Sequence, residues 1–158
     1  MENRNTADNL IRLLAGRTRV LTLGGIAVIS HGLSRNTHDA DIWVEPERSS
    51  GEWCEVLWPI IFMEGQFGPV EIGTWRPISR TRFETVIDRD GLVRVNGLDR
   101  PLDIFRAPNE LPMEDFDEVW NRAAPMDDGT RLPDVIDLLV TKQDTGRDKD
   151  TQDIAYLE

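Results

Sequence analysis

Two aspartates, two positions apart at the head of a β-favouring run, are the strongest constraint on how this chain of 158 residues folds. In Asp39-Ala40-Asp41-Ile42-Trp43-Val44 acidic and apolar residues alternate until Pro46 stops the run. An extended strand therefore puts both carboxylates on one side. At a rise of about 3.3 Å per residue the two positions stand roughly 6–7 Å apart. Like charges that close raise each other's pKa and cost free energy unless something positive lies between them. A solvated strand face relieves the repulsion in one way. A divalent cation relieves it in another, because magnesium prefers oxygen ligands and keeps part of its shell for phosphate groups.

The residues before this strand favour the second environment. Val20-Leu21-Thr22-Leu23 is a short β-favouring run halted by Gly24-Gly25, and Ile26, Ala27, Ile29, Ser30 and Leu33 fit a short helix closing at Gly32. In a strand–Gly-Gly–helix turn, bare backbone N–H groups and the positive helix end can approach a phosphate. Arg35 and Thr37 then add a bidentate cation and a hydroxyl donor just before Asp39.

The remaining elements come from periodicity. A helix runs from about Thr6 to Ala15 with Leu10, Ile11, Leu13 and Leu14 near one stripe, ended by Gly16. Ser49 or Ser50 caps a helix carrying Trp53, Val56, Leu57 and Ile60, which Pro59 should kink, or end at Trp58. Strands are expected at Val70–Trp75, Thr81–Ile87, Leu92–Val95 and Leu102–Phe105, the second and third joined as a hairpin by Asp90-Gly91. Helices follow at Glu114–Ala123, with Phe116, Val119 and Trp120 on one face, at Asp134–Thr145, with Ile136, Leu139 and Val140, and at Lys149–Leu157. The expected class is α+β (mixed α/β): a single domain over 1–158, one mixed central sheet flanked by helices, with the C-terminal helices of 134–157 packing on it.

Composition narrows the function classes. Hydrophobic residues make up 39% and charged residues 30%, an ordinary globular balance. There are 29 acids against 18 bases, and residues 99–158 alone hold 16 acids and 7 bases, which disfavours duplex DNA as a partner. No run approaches 18 apolar residues and the start lacks a signal-peptide core, so no membrane and a cytoplasmic location are expected. Cys54, among Trp53, Val56 and Leu57, reads as a buried structural thiol. His31 and His38 lack the further ligands of a zinc site, and most of the five tryptophans read as core.

Taken together, Leu23-Gly24-Gly25-Ile26-Ala27-Val28, His31-Gly32, Arg35, Thr37 and Asp39-Ala40-Asp41-Ile42 resemble the signature of the DNA polymerase beta-like nucleotidyltransferase superfamily. Leu102-Asp103-Ile104 is similar to that family's third acidic strand, and Phe116-Asp117-Glu118-Val119-Trp120 to its next helix. The segment from Leu132-Pro133 through Lys142 to Gly146-Arg147-Asp148-Lys149-Asp150, Asp153 and Leu157 resembles the tail of small bacterial members. Those members include lincosamide nucleotidyltransferases and type IV abortive-infection toxins. The resemblance covers about 20–45 and 98–157; the middle matches no known pattern.

What the resemblance implies is a nucleotidyltransferase fold and a magnesium-dependent transfer of a nucleoside monophosphate from a nucleoside triphosphate, such as ATP, to an acceptor hydroxyl, releasing pyrophosphate. Asp39, Asp41 and Asp103 would be the catalytic and metal-binding residues for two Mg2+ ions. Asp103 would also accept the acceptor's proton. Glu71, in Val70-Glu71-Ile72, is its rival as third ligand. Gly24, Gly25, Arg35, Thr37 and Lys142 would bind the nucleotide, whereas Arg147 and Lys149 read as ion-pair partners of Asp148, Asp150 or Asp153. The acceptor, a small molecule, a protein or an RNA end, is left open. Two alternatives stand beside this reading: a toxin-like enzyme restrained by an antitoxin-like protein partner, and a nucleotide-binding module without turnover.

Overall fold

The computed structural model describes residues 6–23, 40–61, 68–70, 76–108, 113–134 and 136–137. Helix α1 (Ala7–Ala15) begins at Thr6, whose Oγ1 accepts the Asn9 N–H at 3.1 Å, and buries Leu10, Ile11 and Leu14. Leu13 falls on the flank of that stripe and is exposed. Strand β1 (Val20–Leu23) follows, then β2 (Ala40–Val44).

Helix α2 (Ser50–Ile61) is capped by Ser49, whose Oγ accepts the Glu52 N–H at 3.2 Å. It does not stop at Trp58. Pro59 lies inside it, in the last turn and on the exposed side, where the main-chain carbonyl that proline leaves without a partner can face water. Strand β3 (Gly68–Val70) shares only Val70 with the strand expected at Val70–Trp75, and residues 71–75 lie outside the described residues.

The strand expected at Thr81–Ile87 is a helix, α3 (Arg80–Asp90). Phe83, Thr85 and Ile87 mimic a period of two, but the buried residues are Phe83, Val86 and Ile87, spaced three and one, with Thr85 in water. That is helical spacing, and burial of one stripe overrides the β preference of the individual residues. Asp90-Gly91 is correspondingly no hairpin turn: Gly91 ends α3 with φ +74°, its N–H bonded to the Ile87 carbonyl.

Strands β4 (Leu92–Asn96) and β5 (Leu102–Phe105) come next, then a 3₁₀ turn at Met113–Asp115 leading into helix α4 (Phe116–Arg122). The last two strands, β6 (Ala124–Pro125) and β7 (Arg131–Leu132), were not expected from the sequence. They flank Asp127-Asp128-Gly129, a turn held by the Asp128 carboxylate, which accepts from both the Thr130 N–H (2.9 Å) and its hydroxyl (2.6 Å).

Among the described residues the strands form one mixed seven-stranded sheet in the order β3-β4-β5-β2-β1-β7-β6. The β2–β5 and β1–β7 pairs are parallel and the rest antiparallel. One face carries Val20, Ala40, Ile42, Val44, Val93, Val95, Leu102 and Ile104, all fully buried under α1, α2 and α3. The other face packs Leu21, Leu23 and Trp43 against Phe116 and Val119 of α4. The expected α+β class with a mixed central sheet and helices on it therefore holds.

Helix α4 is tied to the sheet by Arg19, which pairs with Glu45 and, at 2.6 Å, with Asp117, while its guanidinium lies 5.1 Å over Phe116. Burial works against that cation, yet its bonds to Glu45 and Asp117 outweigh burial and raise its pKa. Of the helix expected from Asp134, residues 134 and 136–137 are described; Asp134 is exposed and outside any helix, and the facing of 136–137 is the reverse of the expected one. Ile136 is 69% exposed and Asp137 only 5%, because Asp137 takes a two-pronged ion pair from Arg122 at 2.8 and 3.1 Å.

Trp43 and Trp53 are fully buried, whereas Trp58 and Trp120 are half-buried and Trp75 lies outside the described residues. Cys54 is buried in α2, and loss of hydration pushes its thiol pKa up to about 12. At pH 8 the reactive thiolate is then on the order of one part in ten thousand. Iodoacetamide should leave the native chain unmodified by mass and label it once in denaturant; rapid native labelling would contradict the burial.

Candidate functional site

The acidic strand and its neighbours build a single row across the sheet. Leu23, the last residue of β1, stands opposite Asp41 of β2. Asp41 in turn stands opposite Asp103 of β5, Asp103 opposite Arg94 of β4, and Arg94 opposite Val70 of β3. Alternation along each strand explains why these polar residues share a face. Ala40 and Ile42 flank Asp41, Leu102 and Ile104 flank Asp103, and Val93 and Val95 flank Arg94, and all six neighbours are fully buried on the opposite face. Neighbouring strands lie about 4.8 Å apart, so Asp41 and Asp103 are side by side although distant in sequence.

The next row on the same face is apolar: Leu21, Trp43, Phe105 and Leu92 are paired in the same strand order. Trp43 closes it from beneath α4, meeting Phe116 edge-on with ring centres 5.1 Å apart and donating its indole N–H to the Arg106 carbonyl at 3.0 Å. The acidic pair thus rests on a packed floor at the head of β2. Asp41 is half-buried, and the Asp103 side chain is 13% exposed.

Arg94 was not singled out in the sequence, yet it bonds Asp103 directly. Its Nε donates to Asp103 Oδ1 at 2.7 Å and its Nη2 to Oδ2 at 3.0 Å, a fork-to-carboxylate pair with both side chains largely shielded, Arg94 at 20%. The signal was available: Leu92-Val93-Arg94-Val95 puts Arg94 opposite its valines, just as Leu102-Asp103-Ile104 does for the acid. What local pattern lacks is the knowledge that these two strands are neighbours.

Of the expected site residues, Asp41 and Asp103 are brought together. Asp39, Gly24, Gly25, Arg35, Thr37 and Lys142 lie outside the described residues, as do Glu71, His31 and His38. Among the described residues no group of three His, Cys, Asp or Glu side chains forms a metal-binding cluster. The donor chemistry of the two described carboxylates nevertheless fits magnesium: hard oxygen ligands, adjacent, on rigid central strands. Both Asp103 oxygens are engaged by Arg94, so a cation there must share or displace that pair. No helix among the described residues is long and apolar enough to cross a membrane. Compared with known proteins, the chain matches no family model, and no curated protein matches it in sequence.

Proposed function

We propose that the chain is a magnesium-dependent nucleotidyltransferase with the nucleotidyltransferase fold, moving a nucleoside monophosphate from a nucleoside triphosphate to an acceptor hydroxyl. The observation that carries this reading is the register of β2 on β5, which sets Asp41 beside Asp103. With Asp39 two positions before Asp41, these are the carboxylates that would hold Mg2+. Bound there, the metal supplies positive charge for the triphosphate and its leaving group. The buried neighbours of Asp41 and Asp103 hold the two carboxylates in place, and the fully buried Trp43 packs in the next row along the same face. An acceptor oxygen would attack the α-phosphorus, the bond to the bridging oxygen would break, pyrophosphate would leave, and an oxygen of Asp103 would take the hydroxyl proton.

The nucleotide-binding module without turnover is the second reading, favoured by the Arg94 fork on Asp103. Calorimetric titration of the full chain with ATP, GTP, CTP and UTP, in Mg2+ and in EDTA, tests both. One triphosphate should bind in Mg2+ and not in EDTA, with pyrophosphate released when an acceptor is supplied. Tight binding with no pyrophosphate from any acceptor class favours the module, and no binding of any triphosphate removes both readings.

A further inference from the structure

We infer that Arg94 is a displaceable counter-cation of the acidic pair: its guanidinium holds Asp103 and must give that carboxylate up when a divalent cation enters. This rests on the metal-site reading proposed above. Two adjacent carboxylates on neighbouring strands repel each other, and one of them, Asp103, is bonded on both oxygens by a guanidinium anchored one strand further along the same row. The backbone beneath Arg94 cannot move, because Val93 and Val95 are fully buried and β4 is paired to both β3 and β5. Its side chain can: it is long, has several rotatable bonds and keeps 20% of its surface in water. The exchange is therefore a side-chain rotation with no change in the sheet. Released from Asp103, the same guanidinium is a strong planar partner for incoming phosphate oxygens, so nucleotide and cation should assist each other's binding through it.

The competition has a readout without catalysis. Mn2+, used as a spin-active probe in place of Mg2+, is titrated into the nucleotide-free full chain and followed by electron paramagnetic resonance. Arg94→Gln should bind it about tenfold more tightly than the unaltered chain, the effect of removing one competing ion pair of this strength. Arg94→Lys keeps the charge but loses the fork, and should fall between the two; it decides the matter should the glutamine variant fold poorly. A second measurement separates competition from a purely structural ion pair. Arg94→Gln should melt below the unaltered chain in EDTA and regain most of that difference in Mn2+, whereas a structural pair leaves the loss in place whatever the cation.

Unchanged or weaker Mn2+ binding in both Arg94 variants, alongside binding by the unaltered chain that Asp41→Asn removes, overturns the role of Arg94 and leaves the metal site standing. Absence of Mn2+ binding in all of these proteins, at concentrations where triphosphate titrations also fail, overturns both.

Discussion

Asp41→Asn should lower magnesium-dependent pyrophosphate release by about a thousandfold or more while leaving the fold intact. The substitution removes one negative charge and almost no volume. Asp41 is half-buried between Ala40 and Ile42, which sit on the far face of β2 and keep their packing whatever the side chain opposite them does. An amide still accepts and donates hydrogen bonds but is a poor ligand for a hard divalent cation, and it no longer balances the charge of a metal-bound triphosphate. A thousandfold corresponds to ~4 kcal/mol of barrier. Initial rates of pyrophosphate release at saturating triphosphate, beside circular dichroism and a melting curve, separate chemistry from folding. Turnover within tenfold of the unaltered chain would take Asp41 out of the metal site. The contrast with Arg94 is one of sign: removing the acid should weaken cation binding, and removing the base should strengthen it.

Trp43→Ala should destabilise the protein by ~3–5 kcal/mol, the usual range for truncating a large buried aromatic. For a domain whose total stability is on the order of 5–15 kcal/mol, that is enough to leave much of the population unfolded at modest denaturant. Trp43 is fully buried, packs edge-on against Phe116, and its N–H satisfies the Arg106 carbonyl. Truncation opens a void between β2 and α4 and leaves that carbonyl without its donor. Trp43→Phe keeps most of the ring and loses only the hydrogen bond, so it should cost about 1–2 kcal/mol. Guanidinium unfolding curves of the two variants measure the difference. A loss below about 1 kcal/mol for the alanine variant would mean that α4 does not depend on this contact. Because Trp43 lies two residues beyond Asp41 on the same face, its loss should also disturb the acidic row.

The elements nearest the acidic row were legible because their signals are local. Strands appear at Val20–Leu23, Ala40–Val44 and Leu102–Phe105, as expected, each a short run of β-favouring residues. The apolar setting of Cys54 and the outward turn of Asp103 followed from the same alternation. Residues 81–87 read as a strand because Phe83, Thr85 and Ile87 are individually β-favouring, and only the surface they meet decides between the two periods. Two-residue strands such as β6 and β7 are too short to carry a period at all. The facing of Ile136 and Asp137 was reversed by Arg122, fifteen positions away from Asp137. In the site, alternation alone puts each acid on a face, but the contact between Asp103 and Arg94 depends on which strands become neighbours, a property of the whole sheet.

The parallel pairing of β2 with β5 also sets when the acidic pair comes into being as the chain folds. Asp41 and Asp103 meet only after the stretch of chain between them, including α2, α3 and the β3–β4 pair, has closed into a loop. Closing such a loop loses chain entropy before any strand-to-strand bond repays it, so contacts of this kind form late and slow the overall rate. A collapsed intermediate with α1 and the β1–β2 pair in place would carry Asp41 without its partner. Cations binding between these carboxylates would therefore act on the finished sheet, retarding its unfolding far more than they speed its formation.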